Sequence, residues 1–480
     1  MARDILLLLV VAALAMTTHA ASFVTRSGHQ LRADGKPFYF LGANAYWLQD
    51  AAKYNDRRGE VDNFFKYCNK RGLTVIRMWG FNQGCPSSKG VYDPAQMAGY
   101  DYIINSAAQH NIRLIIALGN TWSAYRSPED FFHIAGVDPT NKTLLDWYGS
   151  RALRDLYKDH IWNMVTRKNS INGREYRQDP TIMMWDVINE PRCPGCTQPW
   201  QQQVQLSFIK EMADWVEGIA TQQLVAVGTE GYYMDPANVR YNPGAGAFCE
   251  GEDWVAMSRI SSVDVTTAHI YDRQLEAVPP TWRSANFEDV LNFFLQSMSS
   301  HERMSRSVGK PYIMEEFNLI RPTYTPVQQA MLFQMVYDYL LWNAQQGGAF
   351  AGAMFWNAGT GSNVYDDGYN IYLDEPDVAP PAVIPTPSGG KPSTSSSSTA
   401  ATPQPVRQAI VANTEGLDSF RMGSQREVCA QEQARSGWTP FWTEAWARTV
   451  DVNGYQQRTA GKRVIDIIGQ TAPLLRKYSQ

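Results

Sequence analysis

Two glutamates in this sequence each follow a short apolar run, and their chemistry depends on whether the fold brings them together. Glu190 comes shortly after the run at 182–187, and Glu316 ends the run at 312–316. Hydrolysis of a glycosidic bond with retention of configuration needs two carboxyl groups about 5 Å apart, one to protonate the leaving oxygen and one to attack the anomeric carbon. A fold that placed Glu190 and Glu316 at that separation would suit this reaction.

Other polar and aromatic side chains follow the remaining apolar runs. Each has an ordinary explanation by itself, since an arginine can form a salt bridge and a histidine or tryptophan can be part of the core. Their joint placement after successive runs favours a binding site instead. The candidates are Arg77, Trp79, Asn120, Trp122, Asn189, His269, Tyr271 and Trp356.

The apolar runs predict eight β-strands, because they are short, rich in β-branched residues and separated by helical patterns. Strands that alternate with helices pair in parallel, and eight of them predict a closed (β/α)8 TIM barrel. An open doubly wound sheet is the alternative, but the segment 42–47 is not the Gly-rich loop expected after its first strand. The predicted strands are Phe38–Gly42, Leu73–Met78, Arg113–Leu118, Ile182–Val187, Leu224–Val227, Val263–Thr267, Tyr312–Glu316 and Gly352–Trp356.

The helical patterns between these strands would form the outer layer of the barrel. In a barrel of this kind the active site lies at the carboxyl ends of the strands, where the candidate residues are found. The predicted helices are Val61–Arg71, Met97–His110, Leu144–Arg167, Gln201–Glu217, Phe287–Val308 and Val327–Gln346.

The eighth helix is missing from its usual place after the last strand. Residues 376–406 are rich in Pro, Ser and Thr and predict a linker, and residues 407–460 form an insertion of no evident role. The amphipathic pattern at 461–480 then predicts the helix that closes a catalytic barrel spanning 22–375. The simpler alternative is a barrel, a linker and a separate C-terminal domain.

The amino terminus has the pattern of a secretory signal peptide over residues 1–20. A basic residue precedes an apolar run that is too short to span a bilayer, and Thr18-His19-Ala20 has small residues at the positions expected for cleavage. Secretion makes a local disulfide between Cys193 and Cys196 the favoured interpretation of that CxxC pair, while Cys68 is expected to be a buried free thiol. Secretion to the extracellular space is therefore expected.

Composition excludes several classes of partner. The net charge of −4 and the pI near 6.0 leave no basic surface for nucleic acid or for an anionic membrane. A single CxxC is half a zinc site, so no metal and no cofactor are expected. The content of 15 Trp and 24 Tyr suits a neutral ligand that stacks on aromatic rings, such as a sugar. We expect a monomer.

Taken together, the candidate site residues resemble those of glycoside hydrolase family 5 of clan A. The resemblance rests on Arg77, Asn189-Glu190, His269-x-Tyr271, Glu316 and Trp356. Further segments are similar to the eukaryotic endo-β-1,4-mannanases of that family. These are Asn44-Ala45-Tyr46-Trp47, Ile76-Arg77-Met78-Trp79, Asn189-Glu190-Pro191-Arg192-Cys193 and Asp367-Gly368-Tyr369.

The resemblance implies a role for each residue. Glu190 would be the acid/base and Glu316 the nucleophile, held ionised by Arg77 and Tyr271. The remaining roles concern binding: Asn189 would bond the sugar 2-hydroxyl, His269 would complete the hydrogen bonds, and Trp356 would lie under the reacting sugar. Trp47, Trp79 and Trp122 would be further platforms.

The substrate would be β-mannan, that is mannan, galactomannan or glucomannan, cut at internal bonds. A β-1,4-glucanase is the runner-up, because the catalytic residues are shared across the family. A catalytically dead sugar-binding barrel is less favoured, because such a protein needs neither carboxyl group. Strand alternation predicts that only one of Glu315 and Glu316 points into the site. In the family that the chain resembles the nucleophile directly precedes an aromatic residue, which implies Glu316.

Overall fold

The computed structural model describes residues 22–235, 238–243, 245–271, 286–321, 323–361, 366–376 and 450–479. The predicted signal peptide and linker, and most of the predicted insertion, lie outside these residues. In this part of the chain no helix is both long and apolar enough to cross a bilayer.

Eight parallel strands form the central barrel, as the sequence predicts. All of their residues are buried except at two strand ends, Arg113 and Tyr271, because the strands contact side chains on both faces. They pair in the order β5-β4-β3-β2-β1-β8-β7-β6, and a bridge between Ala226 and Val265 links the two outer strands. The strands are β1 Phe40–Asn44, β2 Val75–Trp79, β3 Arg113–Ala117, β4 Ile182–Asn189, β5 Leu224–Gly228, β6 Thr266–Tyr271, β7 Tyr312–Asn318 and β8 Phe350–Phe355.

One helix follows each strand and packs on the outside of the barrel. These helices are α1 Arg58–Arg71, α2 Pro94–Gln109, α3 Arg151–Val165, α4 Pro199–Ile219, α5 Trp254–Ser258, α6 Phe287–Ser307, α7 Pro326–Gln345 and α8 Val464–Arg476. Shorter helices occupy the loops, at Leu48–Ala52, Asn55–Arg57, Pro128–Ile134, Leu144–Gly149, Tyr176–Gln178, Val239–Tyr241, Ala245–Phe248, Val452–Thr459 and Lys477–Ser479.

Small sheets lie at the two ends of the barrel. Strands Thr25–Ser27, Gln30–Ala33 and Lys36–Pro37 form an antiparallel sheet at the amino-terminal end, where Leu31 packs with Phe40 of β1. Strands Ala358–Gly359 and Ile371–Tyr372 pair beyond β8.

Most of the predicted elements agree with the structure to within a few residues at each end, and two differ more. The predicted helix Leu144–Arg167 is broken at Ser150, whose extended backbone ends one helix and whose hydroxyl accepts from the Leu153 N–H to begin the next. The predicted strand Val263–Thr267 begins later, because the Val263 N–H bonds to the Ile260 carbonyl in a turn after α5. Strand β6 therefore includes His269 and Tyr271, which face the same side of the strand.

The last helix of the chain lies beside the first strand. Helix α8 packs against β1, α1 and α7. Contact with α1 is so close that a Cβ atom at Gly72, whose φ is +86°, would lie 2.5 Å from Ala472 Cβ. Only glycine suits this position, both for its backbone angle and for the approach of α8.

Candidate active site

Glu190 stands at the carboxyl end of β4 in a backbone conformation that favours glycine. Its φ is +45°, which for a residue with a side chain costs on the order of 1–3 kcal/mol and persists only where the surroundings enforce it. Here the Glu190 N–H donates to the Gly228 carbonyl at 2.6 Å, and the Glu190 carbonyl accepts from the Thr121 hydroxyl. Both contacts fix the direction of a carboxyl group that is only 7% exposed.

Glu316 lies in β7 and both of its carboxyl oxygens accept strong hydrogen bonds. The Arg77 Nη1 donates to Oε1 at 2.6 Å, and the Tyr271 hydroxyl donates to Oε2 at 2.5 Å. Burial raises the pKa of Glu316 and so does the neighbouring Glu190 carboxylate, while His269 and Arg77 oppose that rise. The predicted nucleophile is therefore held by Arg77 and Tyr271, the two side chains that were predicted to hold it.

The two glutamates converge at the mouth of the barrel. One carboxyl oxygen of Glu190, one of Glu316 and one ring nitrogen of His269 all lie within 4.8 Å of one another. Such a set of donor atoms could hold a metal ion, but we assign none, because the Arg77 guanidinium already bonds the Glu316 oxygen. The predicted pair of carboxyl groups thus lies at the separation that glycoside chemistry requires.

Arg77 is fully buried beneath the site and connects the two catalytic strands. Its Nη2 donates to Asp186 Oδ2 and to Asn189 Oδ1, both at 2.7 Å. A Cβ atom at Gly228 would lie 2.5 Å from Asp186 Oδ2 and 2.7 Å from Arg77 Nη2, so the strand beside them must carry glycine there. Fixed donors on Arg77 orient the Asn189 amide, whose Nδ2 in turn donates to Asn120 Oδ1 at 3.1 Å.

His269 bonds the acid/base candidate, a partner that the sequence did not assign to it. Its Nδ1 lies 2.8 Å from Glu190 Oε1 and 3.6 Å from Glu316 Oε1. Burial disfavours the imidazolium, but the carboxylates of Glu316, Glu190 and Glu315 outweigh it and raise the pKa of His269 well above its usual value. The same contact lowers the pKa of Glu190 against the effect of burial.

Glu315 contradicts the prediction from strand alternation. Strand β7 has a bulge at this residue, since Met314 pairs with Ala268 while Glu316 pairs with His269. The bulge turns both glutamates toward the inside of the barrel, and the fully buried Glu315 Oε2 lies 3.3 Å from His269 Nε2. The expectation that only one of the two faces the site is therefore wrong.

Trp356 is a half-buried ring just past the end of β8, and its backbone N–H donates to the carbonyl of Phe317, the residue after Glu316. Its Nε1 donates to Asp367 Oδ2 at 2.6 Å, and its ring stacks on Tyr46 with centroids 4.9 Å apart. Trp79 is only 4% exposed and packs beside Trp356 at 5.6 Å, so it supports this ring from within and presents little surface to a ligand.

Trp122 and Trp47 were predicted to be platforms for sugar rings, but both make other contacts. The half-buried Trp122 donates its Nε1–H to Glu190 Oε2, and the Arg192 guanidinium lies 4.4 Å from its ring centre. Trp47 is fully buried, its Nε1–H donates to the Ala358 carbonyl at 2.9 Å, and its ring packs on Phe64. Trp47 is therefore a core residue and the prediction that it contacts sugar is wrong.

Sequence reasoning missed several groups that hold the site. Asp186 lies in the middle of β4, and it could have been identified from the sequence. A charged residue inside an otherwise apolar strand needs a buried partner, which here is Arg77. Arg192 forms a paired contact with Glu230, both bonds 2.6 Å long, and connects the acid/base loop to the loop after β5. Spacing alone gave no signal for that pair, because the two residues lie in different loops.

The predicted disulfide between Cys193 and Cys196 is present, and it lies directly after Glu190, the predicted acid/base. The loop it closes is docked on its neighbour, because the Cys193 N–H donates to the Glu250 carbonyl at 2.7 Å. Cys68 is a buried free thiol, as expected.

Comparison with known proteins identifies the family. The family model described as GH family 5 beta-mannosidase-like matches residues 21–372. The chain belongs to glycoside hydrolase family 5.

Curated relatives in this family carry the same activity in their names. Mannan endo-1,4-beta-mannosidase 1 of Arabidopsis thaliana is 32% identical over 366 residues, which cover 73% of this chain and 85% of the relative. Mannan endo-1,4-beta-mannosidase 2 of Oryza sativa subsp. japonica is 32% identical over 368 residues, covering 74% and 80%. The similarity thus spans the barrel of this family 5 member.

Solved structures agree with the fold. The endo-1,4-beta-mannanase from Rhizomucor miehei matches with a TM-score of 0.59 and 29% identity, over 74% of this chain and 95% of that one. The endo-beta-1,4-mannanase from Thermotoga petrophila matches with a TM-score of 0.60 and 25% identity, over 72% and 75%. The predicted TIM barrel and the predicted family are both confirmed.

Proposed function

We propose that this family 5 glycoside hydrolase is a mannan endo-1,4-β-mannosidase that acts with retention of configuration. The observation that carries the proposal is the approach of Glu190 and Glu316, with carboxyl oxygens within 4.8 Å of each other at the barrel mouth. Retaining enzymes have their two carboxyl groups about 5–5.5 Å apart, whereas inverting enzymes need about 6.5–9.5 Å to admit a water molecule. β-Mannan as the substrate is supported by the names of the relatives.

In the first half of the reaction Glu316 attacks the anomeric carbon. The C–O bond to the leaving sugar breaks as Glu190 donates a proton to that oxygen, and an ester forms between the sugar and Glu316. Arg77 and Tyr271 hold the Glu316 carboxylate in one orientation, so little reorganisation is needed before attack. Trp356 offers a ring face beside the reacting sugar.

In the second half the same residues act in reverse. Glu190 removes a proton from water, the water oxygen attacks the anomeric carbon, and Glu316 leaves as a carboxylate. Two displacements restore the β configuration. Asn189, whose amide is oriented by Arg77 and Asn120, would donate to the sugar 2-hydroxyl. Such a bond lowers the barrier if it strengthens in the transition state.

The substrate is tested by side-by-side hydrolysis of galactomannan, glucomannan, xylan and carboxymethylcellulose. Internal cleavage should lower the viscosity of mannan solutions early, while few reducing ends have appeared. Faster turnover of carboxymethylcellulose than of any mannan would favour the β-1,4-glucanase alternative and reject our assignment.

Stereochemistry is tested by proton NMR of the first products. The β-anomer should appear first and then mutarotate to the mixture at equilibrium. Early α-anomer would mean inversion, and would contradict the close approach of the two carboxyl groups as the basis of the mechanism.

We also propose that the protein is secreted. Support comes from the signal-peptide pattern at residues 1–20 and from the Cys193–Cys196 disulfide, a bond typical of oxidising compartments. After expression in a secreting host, the protein should be found in the culture medium, and its amino terminus should lie just after Ala20. Full-length protein retained inside the cells would contradict this.

A further inference from the structure

Glu315 is the one buried carboxyl group of β7 that the proposed mechanism leaves without a role. The β7 bulge turns it inward, where its Oε1 lies 3.4 Å from Arg77 Nε and its Oε2 lies 3.3 Å from His269 Nε2. The side chain is fully buried, which is costly for a carboxylate unless it is paired, and Arg77 and His269 are the partners that pair it.

His269 connects this carboxylate to the acid/base. Its Nε2 faces Glu315 and its Nδ1 faces Glu190 Oε1 at 2.8 Å, so the buried ring lies between the two. An ionised carboxylate can only accept hydrogen bonds, so Nε2 must carry the hydrogen that points to Glu315. Nδ1 is then the nitrogen that can gain or lose a proton toward Glu190.

We propose that Glu315 is a positioning residue for the acid/base step: it holds His269 with Nε2 protonated, so that Nδ1 stores the proton that Glu190 delivers to the leaving oxygen. This inference rests on the proposed function, because it takes Glu190 to be the acid.

The charges around His269 explain when the proton would move. Carboxylates raise the pKa of His269, and among them Glu316 has the largest effect. When Glu316 becomes a glycosyl ester its negative charge disappears, so the proton passes from Nδ1 to Glu190 and from Glu190 to the departing sugar oxygen. In the second half of the reaction water gives a proton back to the same pair as Glu316 leaves and regains its negative charge. The charged and titratable groups around this ring are Glu190, Glu315, Glu316, Asp186, Arg77 and Tyr271.

Removing the Glu315 charge should therefore affect one limb of the pH profile. A nearby negative charge helps the His269–Glu190 pair to keep its proton, and one carboxylate at this distance is worth on the order of 1 pH unit or more. The variant Glu315→Gln should lose that proton at lower pH. Its alkaline limb in kcat/KM should move down by about 1 unit.

The decisive measurement compares two substrates with different needs for a general acid. Mannotetraose has a poor leaving group, whereas a 2,4-dinitrophenyl β-mannobioside has one that departs without a proton. We expect Glu315→Gln to lower kcat/KM for mannotetraose about tenfold or more, within the range of general acid catalysis, and to leave the aryl substrate nearly unchanged. A matched control is Glu302→Gln, a buried glutamate of α6 that bonds the Ala349 N–H and Arg306. Glu302→Gln should change kcat/KM by the same factor for both substrates.

Several outcomes would decide against the proposal. An equal loss on both substrates with an unmoved alkaline limb would mean that Glu315 is merely structural. If Glu315→Gln does not fold, His269→Gln should show the same dependence on the leaving group, and its absence there would overturn the proposal. Wild-type protein that cleaves the aryl substrate but no mannan would instead overturn the proposed function.

Discussion

The surroundings of the two catalytic glutamates differ in the kind of group that holds each one. Glu316 accepts from Arg77, a cation that never loses its proton in proteins, and from the Tyr271 phenol. Glu190 instead shares a hydrogen bond with His269, whose imidazole can gain or lose a proton. A nucleophile must stay ionised, while an acid/base must gain and lose a proton in each cycle, and the two sets of partners match these needs.

The backbone at Glu316 also differs from the backbone at Glu190. Glu316 lies within a regular part of β7 just after a bulge, and its carboxyl group is set mainly by side-chain bonds. Glu190 lies past the end of β4 with a positive φ, so its direction is set by the backbone and by the docked Cys193–Cys196 loop. We infer that the nucleophile is oriented mainly by the Arg77 cation and the Tyr271 phenol, and the acid/base by loop geometry and a titrating neighbour.

The largest effect should come from removing each carboxyl group in turn. Glu316→Ala should lower kcat by about 10⁴-fold or more on every substrate, because no ester can form. Glu190→Ala should lose about 10²–10⁴-fold on mannan, because a general acid contributes that much, and far less on a dinitrophenyl mannoside.

Added azide would sharpen this contrast. With Glu316→Ala it should attack directly and yield an α-glycosyl azide, and with Glu190→Ala it should attack the ester and yield a β-glycosyl azide. The same anomer from both variants would mean that the two roles are wrongly assigned.

Arg77→Lys tests whether a fixed cation defines the nucleophile side. A lysine cannot reach Glu316, Asp186 and Asn189 together, and the weaker positive charge at Glu316 should let its pKa rise. Since Glu316 must be ionised to attack, the acidic limb of kcat/KM should move to higher pH.

Breaking buried contacts of this kind also costs about 3–5 kcal/mol of the free energy of unfolding, so melting should be followed with the kinetics. An acidic limb that stays in place in folded Arg77→Lys would show that Arg77 acts on structure alone.

Tyr271→Phe is a smaller change on the same side. It removes one hydrogen bond to the charged form of Glu316, worth about 1.5–3 kcal/mol, so kcat/KM should fall roughly 10–100-fold. Because that bond lowers the pKa of Glu316, its loss should again move the acidic limb to higher pH. A shift in the alkaline limb alone would place Tyr271 with the acid/base instead.

The sequence predicted the barrel and the approach of Glu190 to Glu316 because both depend on local patterns. Eight apolar runs and the residues that end them are visible in one dimension, and they led to Arg77, Glu190, Glu316 and Trp356. The order of elements also placed the last helix beside β1, a position that the structure describes for Val464–Arg476.

Two of the failures share one cause, a local irregularity that reverses which way a side chain points. The β7 bulge turns Glu315 inward against simple alternation, and the start of a short helix at Leu48 turns Trp47 into the core. His269 was assigned to the nucleophile, but its shorter contact is with Glu190. No spacing rule predicts such contacts, because they depend on the packing of two strands.

Trp122→Phe should give the smallest effect and is the counterpart of Tyr271→Phe on the acid/base side. It keeps an aromatic ring under Arg192 but removes the Nε1–H that donates to Glu190 Oε2. That donor stabilises the ionised form and lowers the pKa of Glu190, so its loss should let this pKa rise. Because Glu190 must carry a proton to act as the acid, the alkaline limb should move to higher pH, opposite to the shift expected for Glu315→Gln. One hydrogen bond to a charged group is worth about 1.5–3 kcal/mol at most, so we expect a shift of about 1 unit and less than a tenfold change in kcat/KM at the optimum. If Trp122→Phe moves the acidic limb instead, the separation between a fixed-charge nucleophile and a titrating acid/base does not hold.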